Sequence, residues 1–350
     1  MKKYLTKEIY EELKEKKTKY GYTLKKLINS GIKNEDSSIG VYAGDKESYD
    51  LFAPLLEPII KDYHKFEGVH RSDLSSFEVG NFDDKRVLST RVRVGRNLAH
   101  FPLGTNISKE ERLKVESKIK KALSTLTCKG EYFSLDSISK DAKEELIKNH
   151  FLFKEGDRFL KEAGLNDDWP SGRGIFLSQD KTFLVWINEE DQLRIISMQK
   201  GGDLKEVYNR LLLFLSELEN SLEFSWHTKY GFVTSCPTNL GTALRASVHV
   251  KLENLGKDMK KFEKLASDLE LQIRGVDGEH SKSRGFVFDI SNKRRLGVSE
   301  KECINTLFNG VNKLLEIEKN LFENIRKRQM CTPNIYIRFA KPTISSVEIY

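Results

Sequence analysis

Five arginines stand in places where strands ordinarily hide apolar side chains. Arg91 and Arg93 lie two apart in the alternating run at 87–94, so strand geometry puts both on one face. Arg194 opens a second such run, Arg245 begins a third and Arg274 ends a fourth. A guanidinium is a rigid fork of N–H donors, and several forks together match the oxygens of a polyphosphate. Each arginine taken singly has an alternative, a local carboxylate or a stem laid outward. Periodicity alone does not show that the five converge.

Three other positions have reactive side chains in suggestive settings. Cys236 ends an apolar run and is followed by Pro237. It is either a thiolate held by neighbouring hydroxyls and cations, or a buried inert thiol. Glu190 sits in the acidic turn at 189–192, where a solvated carboxylate would be ordinary. Glu279 lies in a glycine-spaced loop at 274–281, and Gly275, Gly278 and Gly285 are the expected hinges by which it would close over a ligand. His249, inside an alternating strand, reads from the pattern alone as a core residue.

Taken together these segments resemble the phosphagen (guanidino) kinases, and among them the arginine kinases most closely. The resemblance is carried by Ser89-Thr90-Arg91-Val92-Arg93, by HFLFKEGDRF at 150–159, WPSGRGIF at 169–176 and NEED at 188–191. It continues through RIISMQKGGDL at 194–204, CPTNLGT at 236–242 and DISNKRRLG at 289–297, and spans residues 4–321. It implies reversible transfer of the ATP γ-phosphoryl group to the guanidinium of free L-arginine, giving phosphoarginine and ADP, with Mg²⁺ bound mainly through phosphates and water rather than by a protein metal site. The implied nucleotide set is Ser89, Thr90, Arg91, Val92, Arg93, His150 against the nucleoside, Arg194, Arg245, Ala246, Ser247, Val248, His249, Arg274, Gly275, Val276, Asp277, Gly278 and Glu279. On the acceptor side the resemblance implies Glu190 and Glu279 as carboxylates for the guanidinium, with Cys236 as a thiolate beside it.

The loop at 37–42, with Ser37, Ser38, Ile39 and Tyr42, is similar to the one that receives the amino-acid end of the substrate. Its shortness favours arginine over creatine. The chain departs from the family pattern at Ser38, at Asp277 and at Arg284-Gly285-Phe286. Other readings keep the chemistry with another acceptor, such as taurocyamine, or keep only nucleotide binding in an inactive relative.

The elements that must position these residues follow from periodicity. Among 350 residues, 38% are hydrophobic and 32% charged, a soluble globular balance. No apolar run approaches the ~20 residues of a membrane span, and the N-terminus carries no signal-peptide core. The net charge of +7 suits an anionic partner, but no dense basic arm or nucleic-acid motif accompanies it. Cys128, Cys236, Cys303 and Cys331 make no zinc spacing, which predicts a reduced, cytoplasmic protein. Monomer and homodimer both stay open.

The fold class expected is α+β. Residues 1–66 form a small all-α domain, 67–84 a linker, 85–328 a catalytic domain with a mostly antiparallel sheet flanked by helices, and 329–350 a tail. Within the large domain, helices are expected over 109–126, after an Asp203/Glu206 capping box and after Ser299. Strands are expected at 87–94, 182–188, 193–199, 232–235, 244–252, 271–274 and 285–290.

Overall fold

Threonines set the first helices. Thr6 accepts from Ile9 N at the start of α1 (Lys7–Leu13), and Thr23 accepts from Lys26 N before α2 (Leu24–Lys33). α3 (Ser48–Leu51) and α4 (Ala53–His64) complete the small helical unit. Leu24, Leu27 and Ile28 of α2 and Leu55, Leu56, Ile59 and Ile60 of α4 are buried in one apolar cluster. The same apolar cluster takes in Val233, Cys236, Leu240 and Leu296 of the larger unit, so the two units share one continuous core. The computed structural model describes residues 1–275 and 285–331.

The larger unit runs β1 (Val87–Arg96), α5 (Lys109–Leu123), β2 (Gly130–Ser134), α6 (Lys140–Lys148), α7 (Arg158–Glu162), β3 (Gly174–Ser178), β4 (Phe183–Ile187), β5 (Leu193–Lys200), α8 (Leu204–Glu219), β6 (Trp226–His227), β7 (Gly231–Phe232), β8 (Leu244–Lys251), α9 (Met259–Asp268), β9 (Leu271–Arg274), β10 (Val287–Asn292) and α10 (Glu300–Cys331). Eight strands form one antiparallel sheet in the order β2-β3-β4-β5-β1-β8-β10-β9. Two-residue alternation gives this sheet two unlike faces. Val92 and Val94, Phe183 and Val185, Ile195, Ala246, Val248 and Ile290 point one way, into a core roofed by α5, α8, α9 and α10. The opposite face carries the arginines.

Between the units, residues 67–84 form neither helix nor strand, yet they are bonded down at several points. The buried Glu300 carboxylate accepts from Ser72 Oγ and Asp73 N, both at 2.7 Å, and Phe82 N donates to Gly202 O at 2.8 Å.

Several local expectations need correction. The helix foreseen to residue 126 ends at Leu123, where Ser124 N and Thr125 N turn back to Lys120 O and Ala122 O. Asp203 caps α8, but Glu206 does not close the box: its carboxylate goes to Arg210 Nη2 at 2.6 Å. The strand foreseen at 232–235 stops at Phe232, because the Val233 and Ser235 amides are taken by Ser225 O and Asp191 Oδ1. β10 starts at Val287 rather than 285, since Gly285 and Phe286 both have φ of 60°. The short strands β2 and β3 and the helices α6 and α7 had not been foreseen.

Candidate active site

Register, not spacing along the chain, assembles the arginine face. On β1, Ser89, Arg91 and Arg93 alternate with Thr90 and Val92, which point into the core. Antiparallel pairing sets Arg93 opposite Arg245, Arg91 opposite Ser247 and Ser89 opposite His249 on β8. β10 continues the rows, with Ser291 beside Ser247 and Asp289 beside His249, and Arg274 of β9 lies opposite Asp289. On the other side of β1, Arg194 of β5 stands opposite Gly95, where an added Cβ would meet Asp191 Oδ2 at 3.1 Å. His249 therefore faces the arginines rather than the core. The side chains of Thr90, Val92, Ala246 and Val248 are turned to the opposite face.

The charge on this face is only partly balanced. Arg245 Nη2 pairs with Asp289 Oδ2 at 2.8 Å; burial pushes the Asp289 carboxyl up, but Arg245 with His249 and Arg91 together hold it below its ordinary value. Arg194 bridges Glu189 at 2.7 Å and Glu190 at 2.8 Å; these acids outweigh burial and raise its guanidinium above the ordinary value. Arg93 makes no ion pair among the described residues. Burial, then Arg194, Arg91 and Arg245, push it well below an ordinary arginine. Arg91 is lowered to about 10 by burial and Arg245, and lies 5.5 Å over the Trp186 ring. Two like charges a few ångströms apart at a protein surface repel by roughly 2–4 kcal/mol, so such a face is built to receive an anion.

Trp186 links the arginines to the apolar end of the same face. Its Nε1 donates to Phe151 O at 2.6 Å, within a cluster of Leu146, Leu152, Phe153, Ile175 and Leu184. His150 precedes Phe151, is exposed with φ of 59°, and stands near enough to His249 to depress it electrostatically.

The second half of the site is made of turns. Glu190 Oε2 accepts from Arg194 and Oε1 accepts from Asn239 Nδ2 at 3.2 Å. Burial pushes the Glu190 carboxyl up to about 7, against the pull of Arg194. Cys236 is buried with its Sγ 3.0 Å from Thr238 Oγ1. Burial first, and the Glu190 carboxylate second, push its thiol up to about 12. The thiolate implied by the resemblance therefore needs a cation brought beside it. Pro237–Asn239 form a single 3₁₀ turn after Cys236.

The small unit closes on this half directly. Ala43 N donates to Ser235 O at 2.8 Å, and Ser235 Oγ donates to Glu190 O at 3.1 Å. The preceding loop is shaped by Ser37 Oγ, which accepts from Gly40 N at 3.1 Å. Ile39 and Tyr42 are buried in the shared core, while Ser38 is exposed. Asp36 in the same loop pairs with Arg158 of α7. Of the expected site, Val276, Asp277, Gly278 and Glu279 lie outside the described residues, and Gly275 borders them.

Two residues of this site had no role in the sequence reading: Asn239 and Arg295. Both belong to motifs that carried the resemblance, CPTN and DISNKRR, but their types alone gave no reason to single them out. With Arg93, Arg194, Arg245 and Asp191 they line one cleft. A wider groove, about 1020 Å³, lies elsewhere, between the turn at 178–182 and α8, and shares none of these side chains. Among the described residues no three His, Cys, Asp or Glu side chains cluster to hold a metal ion, and no helix is long and apolar enough to cross a membrane.

The chain is similar to known proteins over most of its length. Residues 1–61 match the family model for the ATP:guanido phosphotransferase N-terminal domain, and residues 114–321 that for its C-terminal catalytic domain. The chain is 48% identical over 330 residues to an arginine kinase of Eriocheir sinensis, covering 92% of each. It is 50% identical over 328 residues to one of Liolophura japonica, covering 91% of this chain and 94% of that one. Among solved structures, a lombricine kinase superposes with a TM-score of 0.86 at 38% identity over 92% of both chains. The substrate-free duplicated taurocyamine kinase of Schistosoma mansoni gives 0.85 at 41%; 91% of this chain spans 46% of that one.

Proposed function

The chain belongs to the ATP:guanido phosphotransferases, and on that premise we propose that it transfers the γ-phosphoryl group of ATP reversibly to the guanidinium of free L-arginine. One observation carries the reading. A face of arginines too poorly balanced to be structural adjoins a half-buried carboxylate, Glu190, that lies beside Cys236 where the small unit closes over it. Phosphoryl transfer needs little covalent help. It needs donors and acceptors in line and cations around the equatorial oxygens.

On this reading Arg91, Arg93, Arg194, Arg245 and Arg274 gather charge on the transferring group, and His150 lies against the nucleoside. Ser89, Ser247 and His249 complete the polar floor. Mg²⁺ enters as part of the substrate, carried on the ATP or ADP oxygens and water. Glu190, with Glu279, orients the acceptor guanidinium and takes its proton as the P–N bond forms, and Cys236 becomes a thiolate once that cation is beside it. Ser37, Ser38, Ile39 and Tyr42 receive the amino-acid end. The three described cysteines are free thiols, in keeping with a cytoplasmic enzyme.

Arginine is favoured as acceptor by the short loop at 37–42 and by curated relatives named arginine kinases at 47–50% identity. The solved neighbours named for taurocyamine and lombricine favour a second reading, a different free guanidine in the same pocket. A coupled assay of ADP release against arginine, taurocyamine, lombricine and creatine separates them. Arginine giving the highest kcat/KM is the expected result. Turnover no better with arginine than with the others would overturn the acceptor and leave the chemistry.

A further inference from the structure

Arg295 is 5% exposed and follows β10, on the chain leading to α10. Its Nη1 donates to Thr238 O at 3.1 Å and to Asn239 Oδ1 at 3.2 Å. It makes no ion pair among the described residues. Its own carbonyl is fixed from the other side, accepting from Thr242 N at 3.0 Å and Thr242 Oγ1 at 3.2 Å.

A guanidinium has donors only. Its contact therefore decides which way the Asn239 amide faces: the oxygen must turn to Arg295, and the NH₂ group must turn to Glu190. That NH₂ reaches Glu190 Oε1 at 3.2 Å, while Arg194 Nη2 reaches Oε2 at 2.8 Å. Both oxygens of the carboxylate then receive N–H donors, which favour the ionised form because protonation weakens the acceptor at the oxygen that takes the proton.

We propose that Arg295 is a positioning residue for the acceptor reaction, which fixes the Asn239 amide so that Glu190 is held as an aimed double acceptor for the substrate guanidinium. The proposal rests on the reading of Glu190 given above. The titratable and charged groups around that carboxylate are Glu189 and Asp191 of its own turn, Arg194 of β5, Arg93 of β1, the Cys236 thiol and Arg295 itself, with Arg112 of α5 and Arg173 lining the cleft beside it. Of these Arg295 also acts through a neutral amide, so its effect on Glu190 has a part carried by Asn239 besides its own charge, and Asn239→Asp, which leaves Arg295 in place, reads that part.

The test is the pH profile of kcat/KM for arginine in Asn239→Asp, Arg295→Gln and Arg295→Lys. Asn239→Asp removes the donor and sets a second carboxylate against Glu190. Its acid limb should move to higher pH by about one unit, with arginine KM raised about tenfold and MgATP affinity unchanged. Arg295→Gln can donate or accept, so the Asn239 amide is free to flip. Its limb should move the same way by less, and Arg295→Lys, again donor-only, should restore most of it. Circular dichroism and MgATP binding check that each variant folds. Variants that keep the wild-type acid limb, or an Arg295→Gln enzyme that loses MgATP affinity instead, would overturn the proposal. A wild-type enzyme inert toward arginine would overturn the functional reading beneath it, and the proposal with it.

Discussion

The two halves of the site are built in opposite ways. The phosphate half is carried on strands, where hydrogen-bonded register fixes Arg93 against Arg245 and Arg91 against Ser247. The acceptor half is carried on turns, with Glu190 between β4 and β5 and Cys236 at the start of a 3₁₀ turn, and is steadied by Asn239, Ser235 and a loop from another unit. A rigid lattice suits like charges that must be held close against their own repulsion. Turns suit a group whose protonation must stay adjustable. Strand-borne arginines are therefore expected to fail in rate when removed, and turn-borne groups in acceptor recognition and pH response.

The sharpest break in that contrast comes from Arg93→Ala. With MgATP saturating, kcat should fall about 10²–10³-fold, the cost of removing a donor aimed at developing charge. Thermal unfolding should show no loss of stability, because Arg93 repels Arg91, Arg194 and Arg245 and pairs with no acid among the described residues. Arg245→Ala should match the loss in rate and also destabilise the fold by about 3–5 kcal/mol, since it leaves buried Asp289 unpaired. Denaturant melts of the two variants side by side test the distinction.

Glu190→Gln moves the comparison to the other half. Loss of a charge-assisted contact to the guanidinium should lower kcat/KM for arginine about 10–100-fold, with MgATP affinity held. Calorimetry with each substrate separates the two effects.

The pH response follows in size. Because Glu190 in the free enzyme is raised to about 7, kcat/KM for arginine should climb through that region and level off above it as the carboxylate forms. MgATP affinity should show no step from Arg91 there, since that guanidinium loses its proton only near 10. The sign is fixed: acid removes the acceptor. A kcat/KM profile falling as pH rises through 7 would contradict it.

These contrasts also explain what could be read in advance. Period-two alternation put Arg91 and Arg93 on one face; Arg245, Ser247 and His249 were carried by the resemblance, and the pattern alone had read His249 as core, whereas the register sets all three on the arginine face. The convergence of those rows was invisible, because a one-residue slip in register between β1 and β8 would have sent every partner to the other face. The strands β2 and β3 were missed because Gly130 and Gly174 begin them and the runs are five residues long. Ser299 and its helix were legible, and the structure forms that cap in full, with Ser299 and Glu302 bonded both ways. Asn239 and Arg295 gave no signal because their role lies in an amide orientation that no pattern encodes.

The smallest expected effect lies at the seam between the units. The Asp36–Arg158 pair is exposed on both sides, so Asp36→Ala should cost under about 1 kcal/mol in stability and change arginine KM only a few-fold. Added salt should erase most of the difference, which a salt titration of wild type and variant would reveal.

The central claim is that the arginine face and the Glu190 pocket act on one phosphoryl group between them. Phosphorus NMR of the enzyme with MgATP and L-arginine tests it most directly. The account predicts a new resonance from an acid-labile N-phosphoryl product, growing in step with ADP, about 10²–10³-fold more slowly in Arg93→Ala and about 10–100-fold more slowly in Glu190→Gln at low arginine. Appearance of inorganic phosphate alone, or undiminished N-phosphoryl product from Glu190→Gln, would contradict it.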